Sequence, residues 1–531
     1  MRVERRFAVR RRSAAAAAVA LSVSGTLVAG LFVVDTAGAA SSGSGGGRVI
    51  KTTAEAIHNL TPVTNIDDCN PNSLANIYDQ LVRRMQTGKL VPGLATSWKA
   101  PNPSTFTMTL APNVKFQDGT PFNSTAVAAG IKRDQTLPNS ALKSVTSVIS
   151  SIDTPNPTTV TLHLSSPVAG TMPSIFDGAA GEIPSPTAVA KYGTNYGVTT
   201  AVGAGPYQVT SFSANNTLSV TKFPGYWNKT AQKFGGITFV DMAQTTTTLD
   251  APQVANGALT ISGVKDANIA QVKGLSGVKY VASPTEQYAE IIFNSTQAPW
   301  NKLAVRQAVE YAINRQALVT ALTTGLDKPA YQPLGPNAPG HTNSLDSLYS
   351  YNPSKAKKLL AQAGYKNGLP VQLGEIAYGY YERMSEAVQQ MLNAVGFKVT
   401  LVPFAPTAVQ TTLYTQKKFT AAITAFAPPN PGTYSVLYTS FDSQGAYNLA
   451  GTAPKGIDSG LAKAAATTNA KTQATQFKAV SKIIMKTALV APIYFNDGIT
   501  VYNPNMKNVV YGHTTCTQSN FLEKPYVSYG K

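Results

Sequence analysis

The sequence predicts an α/β protein of two or three lobes, and three observations lead there. The chain has 531 residues, more than one hydrophobic core can serve, so several lobes are expected. Short stretches alternate apolar and polar residues with the period of a half-buried strand. Longer stretches carry apolar residues at three- and four-residue steps and are closed by glycine before the next strand, which is the grammar of α/β folds. Only 13% of the residues are charged, so Thr, Ala, Asn and Gly must cover much of the surface.

The N-terminus reads as an address. Arg2 to Arg12 form a positive run with six Arg and one Glu, and residues 13–34 are 22 apolar residues with small and hydroxyl side chains mixed in. Ala37-Gly38-Ala39 offers an A-x-A cleavage site and SSGSGGG follows it. An export signal over residues 1–39 and a flexible linker over 40–48 are expected. An uncleaved anchor stays open, because such a stretch can cross a bilayer. No cysteine follows the apolar run, the first being Cys69, so a thioether-linked lipid anchor is excluded. Arg5-Arg6 leaves both the general and the twin-arginine export routes open.

Along the mature chain, residues 64–78 change from loop to helix, with Asn72 or Ser73 as the expected cap. Leu90 to Leu94 are an apolar run broken by Pro92-Gly93. Phe106, Met108 and Leu110 alternate with Thr105, Thr107 and Thr109, a strand with one apolar face. Asp118-Gly119 is a tight-turn pair, and Ser124 or Thr125 is expected to cap a helix carrying Val127 and Ile131. Val160, Leu162 and Leu164 mark another alternating strand. Gly203-Ala204-Gly205-Pro206-Tyr207 permits close backbone approach and a sharp redirection. A long helix is expected from Lys302 to about Leu322, capped by Asn301. Asn352-Pro353 opens a further helix that Gly364 ends. Residues 380–395 form a helix closed by Gly396, leading into a strand from Phe397 to Phe404. Thr472–Ala488 repeats this arrangement before Val490 to Phe495.

Several chemistries are disfavoured. His58, His163, His341 and His513 are scattered, and no pair sits at metal-ligand spacing. There is no nucleophile elbow and no phosphate-cradling loop. No metal, cofactor or enzyme activity is expected. The net charge is +18, of which the first twelve residues supply +5. No long Lys/Arg block follows, so a body that sits near an anionic envelope is expected rather than a nucleic-acid binder. Cys69 and Cys516 are the only cysteines. In an exported chain they invite one disulfide, with two buried thiols as the alternative.

Taken as a whole string, residues 78–133 resemble the extracytoplasmic solute-binding proteins of family 5, the peptide, dipeptide and nickel receptors of ABC importers. The matching pieces are Tyr78-Asp79-x-Leu81, Pro92-x-Leu94-Ala95-Thr96-Ser97-Trp98, Val114-Lys115-Phe116-x-Asp118-Gly119-Thr120-Pro121-Phe122, Ala126-Val127 and Arg133. Further matches are Gly203 to Tyr207, Phe223-Pro224-x-Tyr226-Trp227, Val305-Arg306-Gln307-Ala308 and Ala312-Ile313-Asn314-Arg315, where Asn314 replaces the usual acid. The resemblance runs in order over roughly residues 60–510.

It implies an α/β type II periplasmic-binding-protein fold with two lobes, a hinge, and an extra subdomain in the first lobe (cluster C). The implied division is lobe I over residues 49–78 and 202–288, the extra subdomain over 79–201, lobe II over 289–496, and a return to lobe I over 497–531. The implied activity is that of an extracytoplasmic receptor. It captures an oligopeptide or peptide-like solute between closing lobes and delivers it to an ABC permease and its ATPase, with a monomer expected. An oligosaccharide or nickel-chelate binder on the same fold remains open, as does a secreted hydrolase or an envelope-anchored structural protein.

By resemblance two loops carry the ligand. The first holds Asp67, Asp68, Cys69 and Asn70, which a plain solvated loop with Asx turns would also explain. The second is Ala425 to Pro431, including Ala427, Pro428 and Asn430. Peptide binders of the family place an aspartate where Ala427 stands, and it pairs with the ligand's free α-amino group. Here that charge-assisted contact, worth about 1.5–3 kcal/mol, is missing. The amino group is then met elsewhere, by Asp67 or Asp68, or the ligand is blocked or cyclic, or it is not a peptide. Tyr288, Tyr494 and Asn496 are further pocket candidates. So is Trp300, although core packing accounts equally for the aromatic residues.

Overall fold

The computed structural model describes residues 47–54, 57–63, 71–85, 87–241, 250–264, 269–283, 287–323, 325–377, 379–426, 432–496, 498–509 and 526–530. One compact unit spans Gly46–Lys531, and three sheets organise its described residues. The largest has seven strands in the order Lys279–Ser283, Gly498–Tyr502, Ile261–Val264, Val49–Ala54, Gly236–Asp241, Thr217–Lys222 and Tyr207–Ser213. A six-stranded sheet runs Lys328–Pro329, Val490–Phe495, Tyr288–Phe293, Ala421–Phe426, Leu369–Ile376 and Phe397–Phe404. A four-stranded antiparallel sheet joins Ala95–Asn102, Thr105–Leu110, Thr159–Leu164 and Ile149–Asn156.

The alternating strands sit as their sequence implies. Phe106, Met108 and Leu110, with Val160, Leu162 and Leu164, face one core while the threonines and His163 face outward. In the six-stranded sheet, Tyr288–Phe293 and Val490–Phe495 are buried along their whole length, as central strands covered on both faces must be. Ala289, Ile291 and Phe293 join the core beneath helices Leu303–Ala312, Arg315–Thr323 and Gly379–Ala394. Tyr288 and Ile292 join the opposite core, beneath Thr433–Phe441, Ile457–Ala466 and Ala470–Lys486.

Two glycines of the Gly203–Tyr207 turn are demanded by contact. A Cβ on Gly203 would lie 2.4 Å from the Ile77 carbonyl oxygen, and one on Gly205 would lie 2.5 Å from the Ile77 carbonyl carbon. The turn therefore seats its backbone directly on the end of helix Pro71–Tyr78. The C-terminal residues close over the same region. Tyr526 packs with Phe223, Tyr226 and Ala231, and Ser528–Tyr529 pairs with Met506–Lys507.

Some local expectations are corrected. Asn123, not Ser124 or Thr125, caps helix Ser124–Thr136, accepting from the Ala126 N–H at 3.0 Å. Ser124 is instead buried, and its hydroxyl donates to the Asn156 carbonyl at 2.7 Å. Helix Pro71–Tyr78 begins at its proline, so Asn72 and Ser73 lie inside it rather than at its cap. The single helix expected from Lys302 to Leu322 is two, Leu303–Ala312 and Arg315–Thr323, and Lys302 rather than Asn301 holds the first cap position. Extended backbone at Ile313 breaks the run. Asn314 then restarts the helix by accepting from the Ala317 N–H at 3.1 Å.

The break puts Arg315 into the interior. Its Nε donates to the carbonyls of Ala330 (2.8 Å) and Pro492 (2.7 Å), and its guanidinium pairs with the buried Glu310 carboxylate. One cation thus ties two helices to a central strand. Arg315→Met should cost about 3–5 kcal/mol in urea unfolding, because it strands a buried carboxylate.

Helix Ser124–Thr136 buries Ser124, Val127, Ile131 and also Asp134 along one stripe. Burial pushes the Asp134 carboxyl up from 3.8 to about 8. A raised carboxyl pKa in the folded state penalises folding as pH rises, from about 4 where the unfolded chain ionises to about 8 where the folded one does. Asp134→Asn should therefore be neutral near the acid end of that window. At its upper end it should stabilise by about 1–3 kcal/mol, read from denaturation midpoints across pH.

Candidate ligand cleft between the sheets

The chain passes twice between the seven- and six-stranded sheets. Lys279–Ser283 in the first is followed by Tyr288–Phe293 in the second, and Val490–Phe495 in the second by Gly498–Tyr502 in the first. The two passages run side by side. Lys279–Ser283 pairs antiparallel with Gly498–Tyr502, Tyr288–Phe293 pairs antiparallel with Val490–Phe495, and between them the Asn496 N–H donates to the Gln287 carbonyl at 3.0 Å. A two-stranded ribbon therefore continues from one sheet into the other.

The strand register shows which described strands end at this crossing. Tyr288 stands between Phe426 and Phe495 at one end of the six-stranded sheet, so the segment after Phe426 leaves from the row where both passages leave. In the seven-stranded sheet Gly498 pairs with Ser283, and Ile499 pairs with Val264 at the carboxyl end of Ile261–Val264. Val49–Ala54 runs parallel to that strand, so the segment after Ala54 emerges at the same end. Carboxyl ends of parallel strands at such a break are where α/β sheets hold ligands.

Of the expected site residues, Asp67, Asp68, Cys69, Asn70, Ala427, Pro428, Asn430 and Cys516 lie outside the described residues. Tyr288 and Tyr494 are fully buried and Asn496 is nearly so. The Tyr288 hydroxyl faces the Glu290 carboxyl, and burial beside that acid pushes the phenol well up from its ordinary range. Trp300 is buried between Phe293 and Phe397, its indole N–H on the Thr420 hydroxyl at 3.2 Å. These aromatic residues brace the strands that carry the crossing.

Two contacts that the sequence did not announce join residues 79–201 to the six-stranded part. The first comes from strand Val82–Arg84. At the end of helix Pro71–Tyr78, Asp79 adopts φ 57° and its carboxylate accepts from Arg83 Nη2 (2.7 Å), Tyr226 Oη (2.8 Å) and Trp227 Nε1 (3.2 Å). With Arg83 fixed there, Arg84 pairs with buried Asp177 at 2.5 Å. Arg84 Nη2 lies 3.0 Å from where a Cβ on Gly432 would stand. Gly432 immediately precedes helix Thr433–Phe441 and has φ 128°, so the segment that follows Phe426 returns beside this arginine.

The second contact is at Gly170. A Cβ there would lie 2.1 Å from the Thr467 carbonyl oxygen and 2.8 Å from that of Ala465. Gln473 Nε2 bridges the pair, donating to the carbonyls of Gly170 (3.2 Å) and Ala464 (2.9 Å). No motif marks Gly170. The Arg83-Arg84 pair is visible in the sequence, but its partners are distant.

Among the described residues no group of three or more His, Cys, Asp or Glu could hold a metal ion, and no helix is long and apolar enough to cross a membrane.

Comparison with known proteins gives a consistent set. The family model described as bacterial extracellular solute-binding proteins, family 5 middle, matches residues 89–448. The glutathione-binding protein GsiB of Salmonella typhi is 30% identical over 415 residues, covering 76% of this chain and 80% of that protein. HbpA2 from Haemophilus parasuis superposes with a TM-score of 0.79 at 20% identity, over 91% of this chain and all of that one (100%). The periplasmic binding protein DppA from Helicobacter pylori, in complex with the peptide STSA, gives 0.72 at 19% identity, over 91% and 98%. These two structures share the fold, a two-lobed α/β arrangement of the periplasmic-binding type.

The Gly170 seat is directly testable. Gly170→Val would put a Cβ 2.1 Å from the Thr467 carbonyl oxygen, so the two backbones must part, and it should weaken the contact between these segments by about 1–2 kcal/mol. Small-angle scattering should show a larger radius of gyration than the parent chain, and an unchanged radius would refute the contact's role.

Proposed function

Because the chain belongs to family 5 of the bacterial extracellular solute-binding proteins, we propose that it captures an oligopeptide or peptide-like solute between two closing lobes and hands it to an ABC permease. Proteins of this family are extracytoplasmic solute-binding receptors that work with such permeases. The observation that carries the reading is the paired crossing. A ribbon of two strands joins the sheets, and the segments after Ala54 and Phe426 both emerge at that join. A solute that touches both segments bridges both lobes and favours the closed arrangement by its differential contacts.

The peptide-like assignment is supported by the glutathione-binding relatives and by the peptide complex on the same fold. Ala427 in place of the family's aspartate favours a ligand whose α-amino group is blocked or is met by another carboxylate. A nickel chelate is the second reading, since nickel transporters also share this fold, at 18% identity in the Bacillus halodurans protein. The export signal, cleavage near Ala39 and a Cys69–Cys516 disulfide belong to the same proposal.

Thermal shift and calorimetry against glutathione, short peptides with free or acetylated amino termini, and nickel–histidine test it. Stabilisation by a peptide-class ligand with no product by mass spectrometry is expected. Turnover, or stabilisation by nickel–histidine alone, would overturn it. Ala427→Asp should tighten binding of free-amino peptides about tenfold or more. An unchanged affinity would refute either the peptide reading or the placement of Ala427 in the site.

A further inference from the structure

Residues 79–201 carry a groove that the solute cleft does not use. Helices Ser124–Thr136 and Pro186–Tyr192 form its two sides, and no strand of the three sheets lines it. It is an open cavity of about 590 Å³, the size of a site for one small organic ligand. Both sides are held in place. Gly130 lets the first helix lie on Ile183, where a Cβ would stand 3.1 Å from the Ile183 Cγ2. Ser185 caps the second helix, accepting from the Ala188 N–H (3.2 Å) and donating to the Asp118 carboxylate (2.5 Å). Past that helix Gly193 is exposed with φ 53°, and a Cβ there would meet nothing within 4 Å, so this end opens to solvent.

The wall is apolar with a positive edge. Leu137, Pro184, Pro186 and Val189 line it, together with the exposed Ala129 and Ala190. Its only charged residues are Lys132 and Arg133, and it contains no Asp or Glu. Arg133 is fixed, its Nη2 donating to the Thr61 hydroxyl at 3.3 Å and its guanidinium lying over the Tyr196 ring at 5.6 Å. Lys132 is exposed, and among the described residues no carboxylate forms an ion pair with it or with Arg133. The neighbouring Asp134 lies on the other stripe of the helix, buried with Val127 and Ile131. The Asp118 carboxylate is taken up by the Ser185 and Thr120 hydroxyls.

A recessed apolar surface of this size marks a binding site, and cations at its edge without acid partners select an anion. A bilayer is flat, whereas this surface lies between two helices, so the shape suits a single molecule. The chain's own apolar run, residues 13–34, follows six arginines and brings the wrong charge. We propose that the groove binds one single-chain amphiphile with an anionic head, of the fatty-carboxylate class. Its apolar body lies against Leu137 and Val189, and its head meets Lys132, whose aliphatic stem can follow the wall while the ammonium stays in water. Burial of the body supplies most of the affinity, because an exposed ion pair contributes little. The charges set the preference for an anionic head over a cationic one.

The test is titration calorimetry of the full chain with decanoate and with decyltrimethylammonium, each below its micelle concentration. Decanoate should bind one per chain, about three- to tenfold more tightly than the cation. Lys132→Glu should weaken decanoate by a similar factor, and Ala190→Trp, which fills the groove, should abolish its binding. Both positions are exposed, so both variants should melt with the parent chain. Crystals soaked in 10-bromodecanoate give an independent readout on the unaltered chain, with anomalous density expected between the two helices. Absence of binding, equal affinity for the two head groups, an unchanged response in both variants, or bromine density only in the cleft would overturn the proposal. So would binding to phosphatidylglycerol vesicles without binding of monomeric decanoate, which would assign the groove to a membrane surface. A concentration-dependent dimer abolished by Ala190→Trp would assign it to a second copy of the chain and overturn the proposal equally.

Discussion

The structure depends on a short ribbon in which the Asn496 N–H meets the Gln287 carbonyl. Every strand of the six-stranded sheet lies between these two passages in the chain, so that sheet is inserted into the seven-stranded one through two adjacent connections. The topology restricts what relative motion can do. Two neighbouring peptide segments can twist or bend together at little cost, while the ladders on either side keep their register. Residues at the ribbon's ends are consequently packed rather than exposed. Tyr288, Tyr494 and Phe495 are all buried and hold the strand ends against the cores.

Buried charge is spent where segments of distant origin must be oriented. Asp79 gathers Arg83, Tyr226 and Trp227, and Asp177 holds Arg84. Arg315 collects carbonyls from two different segments. Such pairs contribute little net stability against apolar replacements, yet breaking one partner is expensive. Their value here is directional. The adjacent arginines 83 and 84 take separate acids, and the second is thereby aimed at the start of helix Thr433–Phe441. Glycine supplies the complementary device at Gly170, Gly203 and Gly205, where backbone must sit on backbone and no Cβ fits.

Much of the architecture is legible in the order of the residues. The Thr/Phe/Thr alternation over 105–110, the Asp118-Gly119 turn, the Asn352-Pro353 helix start and the Gly396 stop are local devices, and each appears where the residues imply. The failures were also local in form but tertiary in cause. The Lys302–Leu322 periodicity continues through Ile313 and Asn314, yet the helix breaks there. Turning Arg315 inward onto Glu310, Ala330 and Pro492 satisfies more buried groups than an unbroken helix would.

The amino-acid order by itself determined the α/β class, most strand and helix positions, and the family, because period, turn chemistry and the 78–133 string are properties of neighbouring residues. Only the tertiary structure decided that Tyr288, Tyr494 and Trp300 are interior, that Arg84 reaches Gly432, and that Gly170 seats on the end of helix Ile457–Ala466. The physical reason is separation along the chain. Gly170 and Gln473 are 303 residues apart, and no local pattern records a contact whose partners meet only after three sheets have formed.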